Sequence, residues 1–155
     1  MGSGKTLVGA LVAERSHAQF ADLDIMVEDK AGMPIADIFA THSEPVFRAL
    51  ESELLPGALK PGTVVALGGG AVMDDDNWAL LSSRAISVYL EVPFATLWER
   101  VGHLPGRPLI SRRSRAEVEA LFERRRPRYE QAMHRVDGDR DPGVVAAEVM
   151  TIWSG

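Results

Sequence analysis

Cysteine is absent from the 155 residues. Its absence excludes disulfides, thiolate nucleophiles and cysteine-ligated zinc, and is compatible with a cytoplasmic location. Also missing is any apolar run near the roughly 18 residues of a membrane span, so no membrane partner is expected. The first residues are glycine with a single lysine rather than a basic region followed by an apolar block, so they do not read as a secretory signal. Positive charge is not in surplus: 17 Lys+Arg against 22 Asp+Glu leave a net charge of −5. That balance argues against a surface that coats nucleic acid. No internal repeat or low-complexity linker interrupts the chain. With 46% hydrophobic and 25% charged residues, it reads as one globular domain over 1–155, long enough for a sizeable core.

What is present begins at once. Gly2-Ser3-Gly4-Lys5-Thr6 matches the back end of the phosphate-loop pattern G-x-x-x-x-G-K-[ST], with Met1 on its third position. The leading Gly and the strand that would deliver the loop are not in the sequence. Gly2 and Gly4 let backbone N–H groups turn around an anion. The helix expected from Lys5 would add its free N–H groups and its dipole. Lys5 would reach the β- and γ-phosphates, and the Thr6 hydroxyl would hold Mg²⁺. The competing reading is a flexible glycine-rich start with a chance match.

Beyond the loop, short apolar runs alternate with helical patterns, which predicts an α/β fold with a parallel sheet. Helices are expected over 5–16, 25–31, 34–40, 43–55, 75–83, 93–102, 116–133 and 142–153. Strands are expected over 20–24, 63–67, 86–90 and 135–137. Val144, Val145, Val149 and Ile152 form an apolar stripe on the last helix and are assigned to the core. Residues 103–115, polar and arginine-rich, lack clear periodicity and read as a mobile loop.

Three constellations carry chemistry. In Asp22-Leu23-Asp24, strand alternation places both carboxylates on one side, at the strand end where open α/β sheets bind ligands. One could hold Mg²⁺ and its waters while the other accepts a proton from an attacking hydroxyl; a polar strand end or a helix cap is the alternative. Gly68-Gly69-Gly70 after an apolar strand invites close approach to the backbone, by a ligand or as a permissive turn. Arg48, Arg107, Arg125 and Arg140 supply forks that match carboxylate and phosphate oxygens, although any single one could be a solvated surface arginine. Glu51, three residues after Arg48, can orient its guanidinium.

The order of these features resembles the shikimate kinase family over essentially the whole chain. The most specific parts are Asp22-Leu23-Asp24, Ile38-Phe39, Glu44 through Phe47-Arg48 to Glu51, Gly68-Gly69-Gly70-Ala71-Val72, Arg107-Pro108-Leu109 and Arg125-Arg126-Pro127-Arg128-Tyr129. The resemblance implies a P-loop NTPase fold of the nucleoside-monophosphate-kinase type. Its parallel sheet has the order 2-3-1-4-5 with helices on both faces, and the first strand is missing here. It implies ATP-dependent phosphorylation of shikimate at its 3-hydroxyl, within aromatic amino acid biosynthesis, by a cytoplasmic monomer that requires Mg²⁺. Gly2, Ser3, Gly4, Lys5, Thr6 and Leu7 would cradle ATP phosphates, with Thr6 on the metal and Asp22 supporting it through water. Asp24 would bind the substrate hydroxyls and take the proton. Arg48 and Arg125 would hold the carboxylate, with Gly69 offering its N–H. Arg107, on a lid over about 103–115, would meet the phosphates. Arg100, Arg140 and Pro142 match positions that line the adenine.

Ser43 departs from the family's usual glycine and is acceptable as a helix cap. The missing strand matters more, because a central strand pairs on both sides and its loss leaves two rows of peptide groups without partners. The expectation is a start upstream of Met1 or a longer parent product, with a degenerate paralogue as the competing explanation, and a chain that as it stands is weakly stable and a poor kinase. Expression with and without a restored strand, comparing melting and ATP turnover, checks this; equal behaviour would refute it. A gluconate-kinase-like enzyme and a nucleotide-binding module without turnover are the alternatives. The paired arginines and the glycine triplet argue against the first, and only the shortened loop supports the second.

Overall fold

The computed structural model describes residues 2–102 and 113–153. Arg107, and positions 103–112 of the expected lid, lie outside them. Helix α1, Lys5–Ser16, starts at Gly4 with φ 82° and stops at His17 with φ 53°. Strand β1, Gln19–Asp22, leads into α2, Leu23–Ala31. Helices α3, Ile35–Thr41, and α4, Glu44–Ala58, follow. Strand β2, Thr63–Ala66, runs into the glycine triplet, a short 3₁₀ turn at Ala71–Met73 and α5, Asp75–Arg84. Strand β3, Val88–Glu91, precedes α6, Phe94–Val101. The described chain resumes ahead of α7, Arg115–Tyr129, then β4, His134–Asp137, and α8, Pro142–Trp153.

Local chemistry explains where the elements begin and end. Strand β1 stops two residues before its expected end because Asp22 caps α2. Its Oδ1 accepts the Asp24 N–H at 3.0 Å, satisfying one of the helix's open donors. Asp24 therefore sits in the first turn of a helix, and strand alternation is not what aligns the two carboxylates. Helix α4 runs past its expected end at residue 55 and through Pro56, since Leu55 and Ala58 are both buried. Helix α7 starts on a capping box, in which Glu117 N–H donates to Ser114 Oγ and Ser114 N–H to the Glu117 carboxylate. It ends at Tyr129, short of the expected residue 133. On α8 the stripe holds at Val145, Val149 and Ile152, but Val144 is 50% exposed and Ala146 takes its place inside.

The strands form two parallel pairs. In one, β1 lies beside β2, with Gln19 opposite Thr63 and Asp22 opposite Ala66. In the other, β3 lies beside β4, with Val88 opposite His134 and Glu91 opposite Asp137. These pairs are the two flanks of the 2-3-1-4-5 order. Among the described residues no strand joins them. Between β2 and β3 runs a cavity of about 430 Å³, walled also by α1, α6 and α7. Val8 and Val12 of α1 span it, packing with Val64 of β2, Val88 and Leu90 of β3, and Val145 and Ala146 of α8. Leu23, Leu55 and Leu81 fill a second core between α2, α4 and α5, and Val27, Ile38 and Phe47 a third. These two cores hold α4 and the end of β2 against each other, and the site lies along that edge.

Candidate active site

At the amino terminus the backbone makes a cradle. Gly2 (φ 65°) and Gly4 (φ 82°) both take the left-handed conformation that favours glycine. At Gly2 space adds a second reason, because a Cβ there would meet Val101 Cγ1 at 2.8 Å. Lys5 and Thr6 open α1 next to this turn, where free N–H groups and the helix dipole attract an anion. Lys5 Nζ donates to Asp24 Oδ2 at 3.1 Å and lies 3.7 Å from Asp22 Oδ2. The Thr6 hydroxyl donates to Asp22 Oδ2 at 2.6 Å. Asp22 is buried. One ammonium, one hydroxyl and two carboxylates thus meet at the mouth of the cradle. Ser3 lines the adjoining cavity, and the Leu7 side chain is exposed.

The second half of the site is built on α4. Arg48 Nη1 donates to Glu51 Oε2 at 2.5 Å and Nη2 to Glu44 Oε1 at 3.0 Å, with the guanidinium carbon 5.0 Å from the Phe47 ring centre. Glu51 is fully buried. Burial pushes its carboxyl above the usual range; the charge and hydrogen bond of Arg48 pull it back, and the charge of Asp24 raises it further. Among the described residues Glu51 Oε1 has no hydrogen-bond partner.

Gly68-Gly69-Gly70 lies against this cluster, and each glycine faces a different side chain. A Cβ on Gly68 would come within 2.9 Å of Glu51 Oε1 and 3.0 Å of Asp24 Oδ1. One on Gly69 would come within 2.6 Å of Tyr129 Oη, and one on Gly70 would fall inside the Arg48 guanidinium. The close approach expected at the triplet is made by the site's own side chains. Arg125, on α7, lines the cavity together with Lys5, Gly68, Gly69 and Tyr129.

The remaining arginines stand apart. Arg100 reaches the loop, donating to Gly2 O at 3.4 Å and pairing with Asp139 at 2.9 Å. Arg140 donates to Asp137 O at 3.2 Å and pairs with Glu148, and Pro142 opens α8. Neither Arg140 nor Pro142 is among the residues that line the cavity. Two participants had no assigned role at the level of sequence. Asp139 fixes Arg100, and Thr96 shares it at 3.0 Å. Tyr129 follows Arg125 by one helical turn, a spacing that puts both on one face and could have singled it out.

The geometry suits transfer of a phosphoryl group from a nucleotide tail at the cradle to a hydroxyl of a small acid held by guanidinium groups, with Asp24 between the two.

The comparisons with known proteins agree. The family model described as shikimate kinase matches residues 1–153. A curated shikimate kinase of Aromatoleum aromaticum is 41% identical over 153 residues, covering 96% of this chain and 87% of that protein. One from Thermobifida fusca is 44% identical over 131 residues, covering 83% and 75%. Among solved structures, a shikimate kinase from Acinetobacter baumannii in complex with shikimate superposes with a TM-score of 0.94 at 30% identity, covering 99% of this chain and 88% of that one. The shikimate kinase of Aquifex aeolicus gives 0.88 at 33% identity, covering 100% and 92%. With fold and sequence in accord over nearly its whole length, the chain belongs to the shikimate kinase family, whose reaction is the ATP-dependent phosphorylation of shikimate.

Proposed function

We propose that this chain phosphorylates the 3-hydroxyl of shikimate with its residues divided into three groups. The turn Gly2–Leu7 holds the ATP phosphates, with Lys5 on the transferred group. Arg48 and Arg125 grip the substrate carboxylate beside the Gly69 N–H. Asp24, between them, binds the substrate hydroxyls and takes the proton. The contact that carries this reading is Lys5 to Asp24 at 3.1 Å, because it puts the phosphate-reaching cation and the proton acceptor against each other.

The reaction then runs as one displacement. The hydroxyl oxygen attacks the γ-phosphorus while its proton passes to the Asp24 carboxylate. The bond from that phosphorus to the bridging oxygen breaks, and ADP leaves with the electron pair. Little covalent assistance is needed; positioning and neutralisation of charge supply the rate. Arg107, outside the described residues, is assigned to a lid over 103–115 that brings charge to the phosphates and keeps water from competing as acceptor. Arg48 and Arg125 favour an acid over neutral polyols, which bring no carboxylate to meet their positive charge.

A magnesium ion fits the mouth of the cradle. Thr6 Oγ1 and the buried Asp22 carboxylate already converge there, 2.6 Å apart. Among the described residues no group of three or more His, Cys, Asp or Glu forms an all-protein cage, which suits an ion that keeps water and takes substrate phosphates as ligands. Thr6 would hold it directly and Asp22 through water; when bound, it neutralises charge on the phosphate oxygens. Arg100 is assigned to the adenine side, where its contact to Gly2 sets it beside the loop; Arg140 and Pro142 are assigned there on the family resemblance alone. The resemblance to the family is the ground for reading the enzyme as a cytoplasmic monomer. No helix among the described residues is long and apolar enough to cross a membrane.

A coupled ADP-release assay tests the assignment. ADP release with shikimate and none with gluconate is the expected result. Turnover with gluconate alone, or nucleotide binding with no acceptor-dependent turnover, would overturn it.

A further inference from the structure

Tyr129 belongs to the helix that carries Arg125, yet its hydroxyl reaches across the cavity to the opposite wall. Tyr129 Oη donates to Gly69 O at 2.8 Å. The ring is held from two sides, with Tyr89 centred 5.5 Å away and Phe122 at 6.5 Å. Such packing leaves the phenol one place to point. Burial raises its pKa, and the charge and hydrogen bond of Arg125 oppose that rise. The hydroxyl thus stands between the Arg125 guanidinium and the middle glycine of the triplet, whose neighbours face Asp24, Glu51 and Arg48. Its approach to Gly69 is so close that a Cβ at that position would stand 2.6 Å from the oxygen.

We propose that Tyr129 is a positioning residue for the acid-binding site: by tying the Gly69 carbonyl to the Arg125 helix, it sets the distance between the two walls that grip the substrate carboxylate. The inference rests on the assignment of Arg48 and Arg125 to that carboxylate. One hydroxyl serves both walls, fixing the Gly69–Gly70 peptide plane and, through the shared Cα, restricting the Gly69 N–H assigned to the substrate, and limiting where Arg125 can settle. The phenol touches neither the phosphates nor the reacting hydroxyl, so its removal should weaken capture of the acid more than the chemical step.

The experiment combines Tyr129→Phe, Gly69→Ala and the double variant, with shikimate and ATP binding read by calorimetry and KM and kcat read separately. Phenylalanine keeps the stack on Tyr89 and Phe122 and removes only the hydroxyl. The expected result is a 3- to 10-fold weaker Kd and higher KM for shikimate, about the value of one net hydrogen bond. ATP binding is unchanged and kcat stays within about twofold, since no phosphoryl-directed group has moved. Gly69→Ala also weakens shikimate binding by pushing the phenol away, and Tyr129→Phe removes the obstructing oxygen. The double variant should therefore bind shikimate better than the product of the two losses. A shikimate Kd unaltered by Tyr129→Phe, or losses that multiply in the double variant, would overturn the inference. If Tyr129→Phe does not yield folded protein, Tyr129→Leu takes its place: weaker shikimate binding with normal ATP binding supports the inference, and unchanged shikimate binding refutes it. Arg48→Ala run alongside separates the two levels. Unaltered shikimate binding in that variant removes the acid-site assignment itself, whereas weakened binding there beside an unaltered Tyr129→Phe removes only the role given to Tyr129.

Discussion

Asp24→Asn should lower kcat by about 10²- to 10⁴-fold, the range over which a positioned proton acceptor contributes, while ATP still binds. Asparagine preserves the size of the side chain, and its carbonyl oxygen can accept from Lys5, as Oδ2 does at 3.1 Å. The cradle formed by Gly2 and Gly4 does not involve this side chain and should remain intact. What disappears is the carboxylate able to take the proton as the hydroxyl attacks. The variant's shikimate KM should rise modestly, because a hydroxyl contact is altered rather than removed. A coupled assay gives the rate and calorimetry gives nucleotide binding. If ATP binding is lost together with turnover, Asp24 serves the phosphate loop and proton acceptance must be sought elsewhere. Full activity in this variant would exclude it from proton transfer altogether.

Arg48→Ala should be the most damaging single change to stability, by about 3–5 kcal/mol. Glu51 is 0% exposed, Arg48 is its partner at 2.5 Å, and alanine would leave that carboxylate in the core without its cation. Restoring neutrality with Glu51→Gln in the Arg48→Ala background should recover most of the stability and none of the affinity for shikimate, so melting and binding come apart. The pH dependence has a defined sign. Glu51 titrates above its ordinary value of 4.5 in the folded protein, and without Arg48 it should titrate higher still. Between the unfolded and folded values the native state holds a proton that the unfolded state has released, so stability falls as pH rises through that window. The gap in melting temperature between wild type and Arg48→Ala should therefore widen as pH climbs above 4.5 and close on acidification. A gap that is flat with pH would show that Glu51 is not the group being stranded.

How far the sequence revealed this protein differs between its parts. Gly4-Lys5-Thr6 announces the left-handed turn and the start of α1, because the glycine conformation and the helix start are local properties. The carboxylates at Asp22 and Asp24 were legible as a pair, but alternation on a strand was the wrong geometry for them. A cap bond from Asp24 N–H to Asp22 turns the chain into a helix one residue after the first acid, and that competition is decided by a single hydrogen bond. The glycine triplet was legible as a place of close approach, yet which groups approach could not be read. Arg48, Glu51 and Tyr129 come from helices far along the chain, and only packing brings them there. Val144 misled because periodicity gives the width of an apolar face but not its centre. The pairing of β1 with β2 and of β3 with β4 follows from alternating strands and helices, and the gap between the pairs falls where the resemblance places the missing central strand.

Helix α1 touches both strand pairs. Among the described residues no ladder of backbone hydrogen bonds ties β2 to β3, and side chains of α1 pack against both strands. Val8 and Val12 act as its rivets, at 5% and 1% exposure. Any rocking of one half against the other tilts the axis of this helix, and Lys5 and Thr6 ride on its first turn. On the proposed assignment the grip on the nucleotide is mounted on this helix, so tilting it would misaim the Lys5 ammonium.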